Sequence, residues 1–323
     1  PHSAVNATPW AFISLAVCMM AGTASLPHVM MRYFTTPSVR TARRSVGWSL
    51  FFIFLLYSSA PMLATLSKIS LMDPTLSTGI IGKSIAEVQA IDWYQNWNQA
   101  KLMFVSDFNG NGTLELNEFF MKGSAVVLAT PEIAGLPYVI SGLVAAGGMA
   151  AAMSTADGLV LAISNALSHD IYYKIINPKA ETAKRLIVAR VLLVLIGFAG
   201  ATIAALEIQG ILGSVIWAFD FAMSGLFFPL VLGVWWKRAN AQGAVAGMLL
   251  GLISGTAYLV WVRNGGAGFW GVTQLTFGIV GSLVSLVSMI VVSLITKAPD
   301  SATQKMVDEV RVPSGKTVLG KQH

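Results

Sequence analysis

Apolar residues are gathered into long runs along this chain, and polar segments separate the runs. Crossing a bilayer takes about 20 mostly apolar residues in a helix. Seven runs approach or exceed that length, at residues 10–31, 46–66, 136–168, 191–208, 211–236, 243–262 and 272–296. The pattern predicts an all-α polytopic membrane protein with about seven transmembrane helices. The third run is the longest and leaves room for a tilt or a short surface turn.

The polar segments divide the chain into four parts. Residues 1–66 hold the first two predicted helices, residues 67–135 form a polar loop, residues 136–296 hold five further helices, and residues 297–323 form a tail. The loop is too long for a simple connector, so we expect it to have structure of its own. The tail mixes both charges with Pro313 and Gly315, which predicts a partly disordered end.

Composition agrees with a membrane protein. Apolar residues make up 55% of the chain and charged residues only 11%. Cys18 is the single cysteine and lies within the first run, so no intramolecular disulfide is possible. The first run is too long for a cleavable signal peptide and lacks a small-residue cleavage site. Because the chain starts at Pro1, we interpret it as the C-terminal part of a longer protein.

Basic residues lie in the loops and not in one patch, which argues against nucleic acid as a partner. If the first helix runs inward, sixteen of the 21 Lys and Arg residues fall in the inner loops at 32–45, 169–190 and 237–242 and in the tail. Cytoplasmic loops carry such an excess. The charge bias therefore predicts a multi-pass protein of the cell's inner (plasma) membrane, with residues 67–135 outside and the C-terminus in the cytoplasm.

The third run contains the segment AAMSTADGLVLAISNALSHD, whose polar residues fall along one helical stripe. The stripe consists of Gly147, Ala151, Ser154, Thr155, Gly158 and Asn165, and Asp157 borders it. Hydroxyl and carbonyl oxygens suit a hard cation such as sodium, although Ser154 and Thr155 also have the alternative of bonding back to helix carbonyls. Asp157 and Asp220 are the two acids within predicted spans, where carboxylates usually face a cavity, a partner or an ion path.

Three segments resemble the sodium:solute symporter family. AAAMSTADGLVLAISNALSHDIYYK resembles its eighth core helix, and GTASLPHVMMRYFTTPSVRTARRSVGWSLFFIFLLYSSAP resembles the acetate-permease branch in particular. FFPLVLGVWWKRANAQGAVAGMLLGLISG fits the spacing of a family signature at Gly233, Arg238, Gly243, Ala244, Gly247 and Gly251. The resemblance implies the second half of a leucine-transporter-type inverted-repeat fold, starting near core helix 6.

The same resemblance implies site residues. It assigns sodium binding to the carbonyl of Ala151 and the hydroxyls of Ser154 and Thr155, with further carbonyls from core helix 1, which this sequence lacks. It leaves Asp157 as a possible ion-coupling residue. These roles imply sodium as the coupling ion and no organic cofactor.

Core helix 6 faces the substrate in this family. In the related proline permease an aromatic pair precedes a Pro-His step; here Pro27 and His28 remain, while the aromatic positions read Met19 and Thr23. The resemblance therefore implies that Met19, Thr23 and Pro27 face a substrate other than proline. A packing kink is the alternative for Pro27, and helix packing is the alternative for His28.

The resemblance implies sodium-coupled symport of a small monocarboxylate, acetate first, by alternating access. The expected partners are a small organic anion, sodium and the lipid bilayer. No nucleophile–base pair, phosphate-binding loop or thiolate metal cluster is visible, so we do not expect an enzyme. Proton coupling, another solute, or a transporter-like sensor are the alternatives.

The outer loop contains a possible calcium motif, DFNGNGTLELNE. It places Asp107, Asn109, Asn111, Thr113, Glu115 and Glu118 at positions 1, 3, 5, 7, 9 and 12 of an EF-hand loop, with Gly112 at the sharp turn. Two asparagines lower the charge, which predicts weak binding. The alternative is an Asn/Gly turn followed by a helix start.

Overall fold

The computed structural model describes residues 8–206, 208 and 210–311. Helices dominate it, and all seven apolar runs appear as helices. In chain order the elements are α1 (Pro9–Ser25), α2 (Pro27–Met31), α3 (Val39–Met72), α4 (Ile85–Gln89), α5 (Asp92–Gln99), β1 (Met103–Val105), β2 (Phe119–Met121), α6 (Val126–Ile133), α7 (Tyr138–Asn165), α8 (Thr182–Ala205), α9 (Ile211–Ala222), α10 (Phe228–Trp235), α11 (Ala241–Arg263), α12 (Gly278–Ile295) and α13 (Ser301–Arg311).

Six helices within the described residues are long and apolar enough to cross a membrane. They are Val39–Met72, Tyr138–Ile176, Thr182–Ala205, Ile211–Trp235, Ala241–Arg263 and Gly278–Ile295. The polytopic helical prediction is therefore confirmed, with six full-length spans and one shorter apolar helix, α1, of 17 residues.

Pro27 explains why the first apolar run is not one helix. A residue before proline is driven out of the helical region, and Leu26 has φ −70° and ψ 118°. Helix α1 therefore ends at Ser25, and Pro27 starts the short α2, a position where its missing N–H is not needed. The expected continuous segment 10–31 is corrected to two helices.

The third apolar run has no surface turn. Helix α7 continues without interruption into a π-helical segment, Ala166–Ile176, so the whole element has 39 residues. Ser164 near this junction donates a hydrogen bond of 2.9 Å to the carbonyl of Ala189 on α8. A π-segment shifts the helical register, which turns the residues after Asn165 away from the stripe predicted for a regular helix.

The chain divides into two compact units. The first comprises residues 1–43 and 159–323, and the second residues 44–158. In the first unit, α11 and α12 pack closely because glycines recur every fourth residue on α11. These are Gly243, Gly247, Gly251 and Gly255, all buried. The facing positions on α12 are also small, with Ser285 and Ser293 fully buried.

Gly251→Ala is expected to destabilise the first unit by about 1–3 kcal/mol, because overpacking costs about that much. A methyl group there would lie 2.8 Å from Cβ of Ser285 and would collide with the carbonyl of Ser224. Gly197→Ala on α8 is the matched control, since nothing lies within 4 Å of its added methyl group. Thermal unfolding of the purified protein is the measurement. Equal stability of the two variants would contradict the packing described.

Arg238 and Asn240 tie the start of α11 to the end of α12. Arg238 donates to the carbonyls of Leu294 at 3.2 Å and Thr296 at 2.6 Å. Asn240 donates to Thr296 Oγ1 and also accepts from the backbone N–H of Gly243, which caps α11. Unpaired carbonyls at a helix end need such donors, so Arg238 has a structural role at its signature position.

The second unit includes a folded outer segment with its own hydrophobic core. Strands β1 and β2 pair antiparallel, with Met103 opposite Met121. The core is formed by Leu71, Ile80, Val88, Tyr94, Met103, Leu114, Ala129 and Ile133. Ser67 on α3 and Thr130 on α6 share a hydrogen bond of 2.8 Å. The outer segment is therefore a small folded region that adds a two-stranded sheet to an otherwise helical chain.

Part of the tail is helical, namely α13, Ser301–Arg311. Lys237 forms an ion pair of 2.8 Å with Asp308 on α13. This hydrogen bond from Lys237 holds the pKa of the Asp308 carboxyl below its usual value. Residues 312–323, with Pro313 and Gly315, lie outside the described residues.

Candidate functional site

Helix α7 carries the predicted sodium ligands within one turn. Thr155 Oγ1 lies 3.4 Å from the carbonyl oxygen of Ala151 and donates to it. Ala151, Ser154 and Thr155 are all exposed within the structure. The turn therefore presents one carbonyl and two hydroxyls on an accessible part of a membrane-spanning helix. The back-bonding alternative applies to Thr155, but the 3.4 Å distance is long for such a bond.

The surroundings of this turn are open. Helix α7 belongs to the span Tyr138–Ile176, and the most apolar 18 residues of this span include no buried residue. Nothing lies within 4 Å of a methyl group added at Gly147. Asp157 is also exposed on this helix. The three predicted ligands and Asp157 are thus close together, and the described residues leave the stripe accessible to further ligands.

The predicted substrate-facing residues lie along α1 and at the start of α2. Met19 is half-buried, whereas Thr23 and Pro27 are exposed. Thr23 Oγ1 donates a hydrogen bond of 2.6 Å to the carbonyl of Met19, so one turn of α1 presents both residues. The helix ends two residues after Thr23, and the N–H of Leu26 closes its last turn by donating to the carbonyl of Thr23. The carbonyl of Leu26 in turn accepts from the N–H groups of Val29 and Met30, so α2 continues directly from the break.

The possible calcium loop joins two antiparallel strands rather than the two helices of an EF-hand. Its backbone is held in a turn by side chains: Asp107 accepts from the N–H groups of Gly110 at 2.7 Å and Gly112 at 3.1 Å. Both glycines have positive φ, near +70°, which other residues rarely adopt. The sharp turn therefore forms at the predicted residues.

Residues 82–84 lie beside the possible calcium loop, where a second calcium loop would lie in paired EF-hands. Leu114 donates to the carbonyl of Lys83, and Gly82 donates to the carbonyl of Leu114, both at 2.9 Å. A β-bridge joins Ser84 to Thr113. Leu114 itself is fully buried in the outer core. These bonds stabilise a single loop without a paired one.

The last ligand position of the loop is occupied by a buried carboxylate. Glu118 is fully buried and accepts hydrogen bonds of 3.0 Å from the N–H groups of Phe108 and Glu115. Glu115 accepts from the side-chain amides of Asn109 and Asn111, also at 3.0 Å. Among the described residues, no group of three or more His, Cys, Asp or Glu is arranged to hold a metal ion. Calcium binding stays a prediction.

The sequence did not reveal the surroundings of the intramembrane acid Asp220. It is fully buried on α9, and Cys18 on α1 faces its carboxylate. These two residues are about 200 positions apart in the sequence, and nothing in the local pattern pairs them. The only available signal was a charge within an apolar run.

Residues 122–251 match the family model described as the sodium:solute symporter family. The matched region includes the turn at Ala151–Thr155 and Asp220, whereas Met19, Thr23, Pro27 and the possible calcium loop lie before it. The chain therefore carries its candidate sodium ligands inside the part that resembles the family most directly.

Two relatives extend the comparison. The chain is 40% identical over 310 residues to an uncharacterized symporter of Cupriavidus necator, and the aligned region covers 93% of this chain and 44% of the relative. It is 28% identical over 255 residues to a monocarboxylic acid transporter of Corynebacterium glutamicum, which covers 78% of this chain and 39% of the relative. The chain thus spans less than half the length of these two relatives.

Proposed function

This chain belongs to the sodium:solute symporter family, and from that premise we propose that the full-length protein couples sodium entry to the uptake of a small monocarboxylate, acetate first. Transport is by alternating access, in which bound sodium raises substrate affinity and both are released on the inner side. The family and the two relatives are transporters and not enzymes.

The observation that carries the proposal is the group of oxygen atoms on α7. Thr155 Oγ1 and the Ala151 carbonyl oxygen lie 3.4 Å apart, and Ser154 adds a second hydroxyl on the adjacent residue. Sodium shares the preference of hard cations for oxygen ligands. A partially dehydrated sodium ion would gain three ligands here, with further ligands supplied from outside these residues.

Support for the substrate class comes from the relatives and from α1. One relative is named a monocarboxylic acid transporter. Met19 and Thr23 present a flexible thioether and a small hydroxyl where the related proline permease has aromatic rings. A short carboxylate needs little apolar contact area, and its charge is best matched by hydroxyl and backbone N–H donors together with the bound cation.

The charge bias of the loops supports a place in the cytoplasmic membrane with the outer segment outside the cell. Uptake of labelled acetate by cells producing the full-length protein, in sodium medium and in choline medium, tests the proposal. Uptake should require sodium and should be absent from cells without the protein. Equal uptake in both media would favour the proton-coupled alternative, in which Asp157 would carry the coupling ion.

We propose calcium as a weak structural ligand of the outer loop, because the turn is preformed around Asp107 and Gly112. Binding requires Glu118 to exchange its two backbone donors for the ion. Extracellular modules of this type bind at about 10⁻⁴–10⁻³ M, so the expected role is to order the loop.

Glu118→Gln is expected to abolish a calcium-dependent rise in the unfolding temperature, because an amide is a poorer cation ligand than a carboxylate. Calorimetry with and without millimolar calcium is the measurement, and Glu87→Gln, in the same outer segment but outside the loop, is the control. If the wild-type protein shows no shift with calcium, the loop is only a turn.

A further inference from the structure

Asp220 is fully buried within a membrane-spanning element, and the donors around its carboxylate are poorly aligned. Its side chain is 0% exposed, and neither carboxylate oxygen completes a hydrogen bond of good geometry. The element Ile211–Trp235 is one of the six candidate spans. Burying an ionised carboxylate without well-formed hydrogen bonds or a counter-ion is strongly unfavourable. An unpaired acid at this depth therefore needs a proton or a cation.

The neighbours of the carboxylate are donors and apolar atoms, and not ligands for a metal cation. The Cys18 thiol and the backbone N–H groups of Phe277 and Gly278 face it as weak donors, without the geometry of a full hydrogen bond. Cys18 Sγ itself lies 3.7 Å from the carbonyl of Thr276. Sodium needs several oxygen ligands, whereas thiol and N–H groups offer none. The environment therefore suits a proton better than a sodium ion.

Space around Asp220 is also restricted. A methyl group added at Gly278 would lie 2.8 Å from Oδ1 of Asp220. A methyl group added at Gly22 of α1 would lie 2.6 Å from Cβ of Phe219, the residue before Asp220. The three elements α1, α9 and the start of α12 thus meet closely at the carboxylate. A proton fits this junction without displacing any of them.

No basic side chain forms an ion pair with Asp220 among the described residues. The titratable and charged groups on the elements packed against it are Cys18 on α1 and Tyr258 and Arg263 on α11. Tyr258 accepts from the N–H of Phe269 and donates to the carbonyl of Val272, both at 3.0 Å. The Arg263 guanidinium lies 5.3 Å from the ring centroid of Trp217. Neither Tyr258 nor Arg263 forms an ion pair or a hydrogen bond with the carboxylate.

We propose that Asp220 is a proton-binding site at the junction of α1, α9 and α12, formed by residues other than those of the sodium site proposed on α7. In this conformation the side chain is the neutral acid, COOH. Releasing the proton to water leaves a carboxylate that needs better-aligned donors than these three, which requires the junction to open or to rearrange. Because Met19 follows Cys18 on α1, proton binding would influence the position of the predicted substrate-facing turn.

Infrared spectroscopy of the purified full-length protein tests this proposal without measuring transport. At neutral pH the wild-type protein should show the carbonyl stretch of a protonated carboxylic acid. Asp220→Asn should lower the intensity of this band, because asparagine cannot be protonated in this way. Glu118→Gln and Asp157→Asn should leave the intensity unchanged; among the described residues they remove the other buried acid and the other intramembrane acid. A wild-type spectrum without the band, or a band of unchanged intensity in Asp220→Asn, would overturn the proposal.

The test remains decisive if Asp220→Asn does not fold. In that case Asp220→Glu, which keeps a carboxylic acid at this position, is compared with the wild-type protein. A band that shifts in frequency supports Asp220 as the proton site, whereas a band unchanged in frequency and intensity overturns it. These results do not depend on which solute is transported or on whether sodium drives transport, so failure here and failure of the proposed function are distinguishable.

Discussion

Alanine at Ser154 or Thr155 raises the sodium concentration needed for half-maximal uptake by about tenfold, if the oxygens of α7 bind sodium. Interactions with a charged partner contribute about 1.5–3 kcal/mol, and 1.4 kcal/mol corresponds to a factor of ten. Thr155 is the more informative position, because its hydroxyl already lies 3.4 Å from the Ala151 carbonyl oxygen. Removing it withdraws one of two neighbouring ligands and leaves the helix backbone intact.

The measurement is uptake of labelled acetate at a series of sodium concentrations. Thr202→Ala on α8 is the matched control, since Thr202 Oγ1 makes the same type of bond to a carbonyl four residues earlier, at 2.8 Å. This variant should keep the wild-type sodium dependence. Unchanged sodium dependence in both Ser154→Ala and Thr155→Ala would remove α7 as the sodium site.

The second large effect concerns the choice of substrate. Acetate and propionate should compete for uptake and proline should not, because Met19 and Thr23 replace the aromatic positions of the proline branch. If Thr23 faces the substrate, as the resemblance implies, a bulky side chain there would enter the space available to the substrate. Thr23→Phe is therefore expected to weaken apparent acetate affinity by about tenfold, since a mismatch in an apolar pocket costs about 1–3 kcal/mol.

Competition between labelled acetate and unlabelled solutes is the measurement. Ile13→Phe, on the exposed part of the same helix more than two turns from Thr23, controls for the added ring. It should retain wild-type affinity for acetate. Proline uptake with no competition from acetate would reverse the substrate assignment, and equal effects of the two substitutions would show that Thr23 does not face the substrate.

Hydropathy predicted the helices well because a spanning helix needs a long apolar run. It located six helices long enough to span and one shorter helix within the described residues, but it did not decide their ends. The run 10–31 ends as a helix at Ser25 because Pro27 restricts Leu26, and the run 136–168 continues to Ile176 through a π-segment. Boundaries depend on local backbone geometry, which average hydropathy does not describe.

The sequence pattern did not predict which residues of neighbouring helices pack against one another. Glycine spacing on α11 indicated a close approach, but the pattern did not show that Ser224 and Ser285 would be the facing residues at Gly251. Likewise, Asp220 was visible as a charge in an apolar run, but its neighbours Cys18 and Gly278 come from distant parts of the chain. Long-range contacts of this kind require the three-dimensional arrangement.

Describing the candidate sodium site required both the sequence and the three-dimensional structure. The stripe on α7 identified Ser154 and Thr155 as unusual, and resemblance to a family gave them a role. The structure adds that the Thr155 hydroxyl and the Ala151 carbonyl lie within 3.4 Å of each other and are accessible. For the possible calcium loop, residue spacing alone predicted the turn, whereas the two flanking strands appear only in the structure.

Accumulation of labelled acetate by liposomes that contain only the purified full-length protein tests the central claim most directly. An inward sodium gradient, with equal pH on both sides, should drive acetate above its equilibrium concentration, and a sodium ionophore should release it. Accumulation driven by a pH gradient in the absence of sodium, or no accumulation with the sodium gradient imposed, would contradict sodium-coupled monocarboxylate symport.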